Sequence, residues 1–282
     1  MTITERPEKY AGTEKVNGIE LYYEFYPREQ AEKTLFCIHG FLASSFSFRT
    51  IIPDLADEYA ICAVDYPPHG KTEKSRNFTY SYKNIAKTLT GLIRKLELEN
   101  VVIVGHSMGG QIGLHMLLEE QNLFEKAVLL ASSAYLKKAR KSLVYLSYLP
   151  FSHRLIKRKL IQSGGVEGNL KQVVYDHSIV TDEMINGYLE PFIQNDDIFY
   201  TLSKFVRDRE DDLSPGELAK IYIPILLVWG EFDKIVPLKV GKRLEEDLPN
   251  AKLTVFEKTG HLIPEEKPEE TVRLIKKFLK NS

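Results

Sequence analysis

Short apolar runs alternate with segments of helical periodicity along most of the chain. Two of those segments, residues 45–57 and 82–96, place their apolar side chains on one face of a predicted helix. Strands that alternate with helices in this way predict a mostly parallel sheet with helices on both faces. The apolar runs that we interpret as its buried strands are residues 34–38, 60–65, 101–104, 127–131, 223–229 and 252–256.

The two ends of the chain extend this pattern. Residues 14–26 contain Asn17-Gly18 between apolar positions, and this dipeptide is typical of a tight turn between antiparallel strands. We therefore predict a hairpin at one edge of the sheet. Residues 268–280 predict a terminal helix after the last strand.

The alternation of strands and helices stops between residues 133 and 220. This segment is helical in pattern, and the next strand of the series comes only at residue 223. We interpret it as an insertion into an α/β core. Residues 133–220 are thus a predicted helical cap, and residues 1–132 with 221–282 are the predicted core.

Composition is that of a globular protein without a nucleic-acid partner. The chain has 282 residues, of which 43% are hydrophobic and 27% charged, enough for one large α/β domain with an insertion. Its 38 Lys and Arg residues nearly balance 39 Asp and Glu residues, which gives no electrostatic basis for binding nucleic acid. Cys37 and Cys62 lie inside predicted strands, so we interpret them as small buried side chains rather than a disulfide or metal pair.

The sequence predicts a cytoplasmic protein. Its first residues are polar and lack the apolar core of a signal peptide, and no stretch is long enough to span a membrane. Residues 133–165 carry Lys and Arg but no Asp or Glu, whereas residues 166–220 are rich in acidic groups. We favour a solvated helix face for the basic segment. The alternative is weak contact with anionic lipid, without stable membrane insertion.

Candidate chemistry begins at Ser107. The buried strand 101–104 leads into Gly105-His106-Ser107-Met108-Gly109, after which apolar residues follow at helical spacing. Side chains at positions 105 and 109 would collide in a turn tight enough to project a serine hydroxyl at the end of the strand. The start of a helix also directs unpaired backbone N–H groups towards a developing oxyanion.

A serine nucleophile needs a base, and the base needs an acid that orients it. In a parallel sheet these groups are expected just after the carboxyl ends of strands. The loop after strand 223–229 offers Asp233, and the loop after strand 252–256 offers His261. Glu231 is an alternative acid, which we disfavour because it lies close to the end of its strand.

At this point the sequence closely resembles the α/β-hydrolase family. The matching motifs are His39-Gly40-Phe41, residues 105–110, residues 230–233, and Gly260-His261 with the downstream Glu265 and Pro268. The resemblance implies an α/β-hydrolase fold with an eight-stranded sheet. It also implies Ser107 as nucleophile, His261 as base and then acid, Asp233 as the orienting carboxylate, and the backbone N–H groups of Phe41 and Met108 as oxyanion donors.

The chain departs from the family pattern in residues 65–72, where Pro68 and Thr72 replace a usual Gly and Ser. We regard this loop as structural, so the departure leaves the chemistry intact. We expect none of the remaining histidines to take part directly in catalysis. They are His39, His69, His106, His115, His153 and His177.

A serine at position 107 favours acyl chemistry over the alkyl-ester chemistry of relatives with Asp at the nucleophile position. We predict a serine carboxylesterase for small to medium-chain or aromatic esters, which needs no metal or organic cofactor.

Alternatives are a hydrolase of carbon–carbon bonds in meta-cleavage products, or a perhydrolase, with the same three residues. A signalling protein that binds a small molecule without turnover is the alternative from another class. The predicted protein is a monomer or homodimer.

Overall fold

The computed structural model describes residues 8–139, 144–145, 147–148, 158, 164–194 and 197–280. Within them, eight strands form one sheet, which confirms the predicted α/β fold. The strands are β1 (Tyr10–Val16), β2 (Ile19–Tyr26), β3 (Thr34–Ile38), β4 (Ala60–Val64), β5 (Val101–His106), β6 (Phe124–Leu130), β7 (Ile225–Gly230) and β8 (Ala251–Phe256). Their order is β1-β2-β4-β3-β5-β6-β7-β8.

The sheet is parallel from β4 to β8 and antiparallel at one edge. β1 pairs with β2 antiparallel through the predicted hairpin, and Val16 lies opposite Ile19. Asn17 and Gly18 both have positive φ, 51° and 81°, as a two-residue turn of this kind requires. β2 then pairs antiparallel with β4, and β3 pairs parallel with both β4 and β5.

Helices cover the sheet, and several lie in the described part of the segment between β6 and β7. They are α1 (Ile52–Ala56), α2 (Tyr82–Lys95), α3 (Met108–Glu120), α4 (Gly165–Val173), α5 (Asp182–Gln194), α6 (Asp197–Asp208), α7 (Pro215–Leu218), α8 (Leu238–Asp247), α9 (Ile263–Glu266) and α10 (Pro268–Lys280). No helix in the described part of the chain combines the length and the apolar character needed to cross a bilayer.

One predicted helix differs from the structure. Residues 45–57 form a short 3-10 turn, Ser45–Phe48, followed by α1 instead of one continuous helix. Pro53 explains the break, because it has no backbone N–H to donate to a preceding turn and is tolerated only in the first turn of a helix.

The core lies on both faces of the central strands. Every residue of β3 and β5 is buried, as expected for parallel strands covered by helices on both sides. The free thiols of Cys37 and Cys62 lie in this core, and burial raises the pKa of each. Both cysteines are therefore the small buried side chains that the sequence predicted.

The segment from β6 to β7 leaves and re-enters the core at one place. The N–H of Leu136 donates to the Asp212 carboxylate at 3.0 Å, and the N–H of Asp212 donates to the Leu136 carbonyl at 3.0 Å. Between these points, α4 to α6 lie beside the site described below. The division into core and cap at residues 133 and 220 stays a prediction. Much of the basic stretch, with Arg140, Lys141, Arg154, Lys157 and Lys159, lies outside the described residues.

The turn from β5 to α3 depends on close backbone contacts. Ser107 adopts φ 52° and ψ −117°, a conformation that L-residues rarely adopt and that the surrounding structure must stabilise. A Cβ atom at Gly109 would lie 2.0 Å from the Ile38 carbonyl oxygen, and one at Gly105 would lie 2.7 Å from the Gly110 Cα. The two glycines of the motif are therefore required by packing.

Gly109→Ala should destabilise the protein, because the added methyl group meets backbone that cannot move aside. We expect a loss of about 3 kcal/mol in the free energy of unfolding, measured by chemical denaturation. Gly216→Ala is the matched control: a Cβ there meets nothing within 4 Å, so Ala should stabilise α7 by about 0.5 kcal/mol. Equal stability of the two variants would contradict this account of the turn.

Candidate active site

Ser107 lies at the junction of β5 and α3, at the carboxyl edge of the sheet. Its backbone N–H donates to the Leu130 carbonyl at 2.9 Å, and its carbonyl accepts from the N–H of Ser133 at 2.9 Å. These bonds attach the turn to the end of β6, the neighbouring strand. Ser107 is 8% exposed, and its side chain faces a cavity.

His261 connects Ser107 to Asp233 through a chain of hydrogen bonds. The His261 Nε2 lies 2.9 Å from the Ser107 Oγ, and its Nδ1 lies 2.7 Å from the Asp233 Oδ2. An Nδ1–H that donates to the carboxylate leaves Nε2 free to accept the serine proton. The structure thus brings together all three side chains that the sequence singled out, and their catalytic roles stay a prediction.

Asp233 is fixed by its own turn after β7. Its Oδ1 accepts from the backbone N–H groups of Ile235 and Val236, each at 2.8 Å, while Oδ2 faces His261. Glu231, the alternative acid, is exposed, and its carboxylate accepts from the N–H of Lys258 at 3.4 Å. Between the two acids, Asp233 is therefore the one that contacts the imidazole.

The predicted oxyanion donors lie on the two segments next to Ser107. A Cβ at Gly40 would be 3.2 Å from the Ser107 Cβ, so the loop that carries Phe41 packs directly against the serine. Met108 is the first residue of α3. Neither Phe41 nor Met108 donates its backbone N–H to another residue in the described ranges, which agrees with the predicted role of the two N–H groups as oxyanion donors.

His106 makes a contact that the sequence did not predict. Its Nε2 lies 2.9 Å from the His261 carbonyl oxygen. Burial lowers the pKa of His106 to about 3, so the neutral ring donates Nε2–H to that carbonyl and fixes the backbone of the predicted base. The only signal in the sequence was the position of His106 immediately before Ser107.

The other histidines described by the structure do not contact Ser107. His39 lies 2.7 Å through Nδ1 from the Gly40 carbonyl, and burial lowers its pKa to about 3. His69 packs against the rings of Tyr66 and Phe41. His115 is buried beside Tyr82, and His177 is exposed. His153 lies outside the described residues.

The loop that departs from the family pattern is organised by Asp65. Its carboxylate accepts from the backbone N–H groups of Ser45 and Lys71, each at 2.7 Å, and burial raises its pKa to about 6. Thr72 donates its hydroxyl to the Asp65 backbone carbonyl and accepts from the N–H of Tyr22. These are contacts within the fold, in agreement with a structural role for the loop.

A cavity of about 450 Å³ opens over Ser107 and His261. Its described walls are almost entirely apolar, and they contain no Asp, Glu, Lys or Arg. Within the described residues there is also no group of three metal-ligating side chains. Besides Ser107 and His261, the lining residues are Gly40, Phe41, Leu42, Ala43, His106, Gly165, Val166, Asn169, Leu170, Val173, Tyr188, Leu189, Phe192, Phe199, Ile235 and Leu262.

Comparison with known families matches residues 33–268 to the alpha/beta hydrolase fold. The chain belongs to this family. This alpha/beta hydrolase is 48% identical over 265 residues to the uncharacterized hydrolase YugF of Bacillus subtilis (strain 168), a match that covers 94% of this chain and 96% of that protein. Both matches support a hydrolase activity.

More distant relatives differ in their named activities. The 2-hydroxy-6-oxononadienedioate/2-hydroxy-6-oxononatrienedioate hydrolase of Cupriavidus pinatubonensis (strain JMP 134 / LMG 1197) is 29% identical over 241 residues, which are 83% of this chain and 80% of that protein. The solved esterase EaEST of Exiguobacterium antarcticum aligns with a TM-score of 0.80 over 96% of this chain and 100% of that one, at 21% identity. At that identity the likeness shows the shared fold alone.

Replacement of His106 should change how stability depends on pH. Its pKa is lowered from 6.5 to about 3 by burial, so between these values the unfolded chain binds a proton that the folded protein does not, and stability falls as pH falls. Keeping His106 neutral costs about 2 kcal/mol at pH 5 relative to pH 7. Gln keeps an amide donor and does not titrate.

We therefore expect the stability of His106→Gln relative to the unmodified protein to improve by about 2 kcal/mol between pH 7 and pH 5, measured by urea denaturation at both values. The same difference at both pH values would mean that His106 takes up a proton in the folded protein.

Proposed function

We propose that this alpha/beta hydrolase is a serine hydrolase that cleaves carboxylic esters through an acyl-enzyme intermediate. The observation that carries the proposal is the pair of hydrogen bonds from His261, 2.9 Å to the Ser107 Oγ and 2.7 Å to the Asp233 Oδ2. This arrangement supplies a nucleophile, a base and an orienting carboxylate in one line.

In the first half of the reaction, the Ser107 Oγ attacks the ester carbonyl while His261 Nε2 removes its proton. The negative charge on the carbonyl oxygen is stabilised by the N–H groups of Phe41 and Met108, each such donor typically contributing about 3 kcal/mol. Asp233 stabilises the imidazolium. When the intermediate collapses, the carbon–oxygen bond of the ester breaks, and His261 gives the proton to the departing alcohol.

In the second half, a water molecule replaces the alcohol. His261 takes a proton from this water as the oxygen attacks the acyl carbon, and then returns the proton to the Ser107 Oγ as the bond between serine and the acyl group breaks. The products are a carboxylic acid and the regenerated serine. All proton transfers use one imidazole, which the carboxylate of Asp233 keeps in the required tautomer.

The size and the apolar walls of the cavity favour uncharged substrates of small to medium size. Its described walls offer apolar side chains such as Leu170, Phe192 and Phe199, with no charged lysine, arginine or carboxylate among them. A charged group placed against such walls would lose its hydration without an ionic partner, which is costly. We propose that α4 to α6 are part of a cap that supplies much of this apolar surface.

Carbon–carbon hydrolysis of a meta-cleavage product is the second candidate. It is favoured by the similarity to the hydrolase of Cupriavidus pinatubonensis, whose named substrates are dioates with two carboxylates. The described cavity walls lack a cation that would pair with such a group. This absence supports the ester over the dioate.

A matched pair of substrates tests the proposal. We expect turnover of p-nitrophenyl acetate, butyrate and octanoate, and a kcat/KM for p-nitrophenyl pentanoate at least about 100-fold above that for the p-nitrophenyl monoester of glutaric acid. The two acyl groups have the same number of carbons and differ in a terminal methyl or carboxylate. Release of p-nitrophenol measures both rates, and cleavage of a dienedioate is assayed in parallel.

Two serine variants are the controls. Ser107→Ala should abolish multiple turnover, whereas Ser133→Ala, a buried neighbour whose hydroxyl has no hydrogen-bond partner among the described residues, should keep it. Rapid cleavage of the dienedioate with no turnover of the esters would overturn the ester assignment. Ester turnover that survives in Ser107→Ala would overturn the mechanism.

A further inference from the structure

The carboxylate of Glu266 joins two backbone segments beside the predicted base. It accepts from the N–H of Gly260 at 2.9 Å and 3.0 Å through its two oxygens, and from the N–H of Tyr175 at 2.7 Å. Gly260 immediately precedes His261, and Tyr175 follows α4 by two residues. Glu266 therefore connects the histidine loop to the end of a helix that lines the cavity.

The backbone of His261 is fixed on both sides at the same place. Its N–H donates to the carbonyl of Val173, the last residue of α4, at 2.8 Å. Its own carbonyl oxygen lies 2.9 Å from the Nε2 of His106 in the core. The end of α4 is thus one of the contacts that fix the backbone carrying the imidazole.

The approach of the two segments is closer than a side chain would allow. A Cβ atom at Gly260 would lie 2.6 Å from the Val173 carbonyl oxygen and 2.8 Å from the Tyr175 nitrogen. Glycine at this position lets the loop and the end of α4 meet backbone to backbone. The carboxylate of Glu266 then binds the two N–H groups that the contact brings together.

Burial of this carboxylate has an energetic cost that its hydrogen bonds offset. Burial raises the pKa of Glu266, while the N–H groups of Gly260 and Tyr175 act in the opposite direction by stabilising the charged form. Charge-assisted bonds to backbone N–H groups are shorter and stronger than neutral ones. A carboxylate with such partners is well suited to fix the distance between two loops.

We propose that Glu266 is a positioning residue for His261, which it acts on by holding the end of α4 against the histidine loop. The inference rests on the proposed role of His261 as the base. It adds that α4 both lines the cavity, through Leu170 and Val173, and fixes the position of the base. A displacement of this wall would therefore also displace His261. Glu265, the residue before Glu266, has other partners: the Arg49 guanidinium and, at 3.2 Å, the Tyr188 hydroxyl of α5.

Three variants test this role in the full-length protein. Glu266→Gln keeps the shape but removes the charge and replaces one acceptor oxygen with an NH2 donor, so the charge-assisted bonds and the second acceptor for the Gly260 N–H are lost. Glu266→Asp keeps the charge and shortens the reach. Glu269→Gln changes an exposed carboxylate in the first turn of α10 and is the matched control.

We expect Glu266→Gln to lower kcat for p-nitrophenyl butyrate about 10- to 100-fold, with KM changed less than about threefold, since a displaced base affects the chemical step more than binding. The kcat of Glu266→Asp should lie between those of Glu266→Gln and the unmodified enzyme, and this variant serves as the test if Glu266→Gln does not fold. The kcat and KM of Glu269→Gln should equal those of the unmodified protein. A loss of thermal stability alone, with kcat unchanged, would overturn the proposal.

A second measurement needs no turnover and separates this proposal from the proposed function. The Nδ1 proton of His261, shared with Asp233 at 2.7 Å, should give a far-downfield proton NMR resonance that is absent from His261→Ala. It should shift upfield or broaden in the Glu266 variants and stay unchanged in Glu269→Gln. An unchanged resonance in Glu266→Gln would overturn the positioning role, even if the substrate assays had already shown that esters are not turned over.

Discussion

The structure of the site depends on one hydrogen bond, between the His261 Nε2 and the Ser107 Oγ, which joins residues 154 positions apart. The bond requires that the turn after β5 and the loop after β8 lie close together at the carboxyl edge of the sheet. β5 and β6 provide this edge for Ser107, and β7 and β8 provide it for the loops of Asp233 and His261. Because parallel strands present their carboxyl ends on one side, distant parts of the chain meet there. The register of the strands therefore determines whether Ser107 and His261 can form their hydrogen bond, as well as how the sheet packs.

Rigidity at this edge comes from contacts outside the three predicted catalytic side chains. The strained backbone of Ser107 lies between two close backbone contacts, of Gly105 with Gly110 and of Gly109 with Ile38, where no side chain can fit. His106, neutral because it is buried, donates to the backbone of His261. Glu266 binds the N–H of Gly260, the residue before His261. An imidazole fixed in this way would need little reorganisation to act as the proposed base.

The sequence predicted the three side chains of the site, because their residue types and their positions after strands are visible in the chain. Ser107 follows from the steric requirement of its flanking glycines, and Asp233 and His261 follow from their positions after buried strands. Glu231 remained an alternative because both acids follow β7; its closeness to the strand end disfavoured it, and the turn that fixes the Asp233 carboxylate distinguishes the two in the structure. The contact of His106 with His261 was not predictable, since it depends on packing between residues 155 positions apart. Cavity shape escaped prediction for the same reason: it depends on how α4 to α6 lie over the sheet.

The most direct measurement of the central claim is the mass of the protein quenched in acid during turnover of p-nitrophenyl butyrate. The account predicts that a fraction of the protein gains one butyryl group, that peptide mapping assigns this group to Ser107, and that Ser107→Ala shows no such adduct at this peptide. Ester turnover with no adduct under conditions where deacylation is slow, or an adduct on a residue other than Ser107 that decays at the rate of turnover, would contradict it.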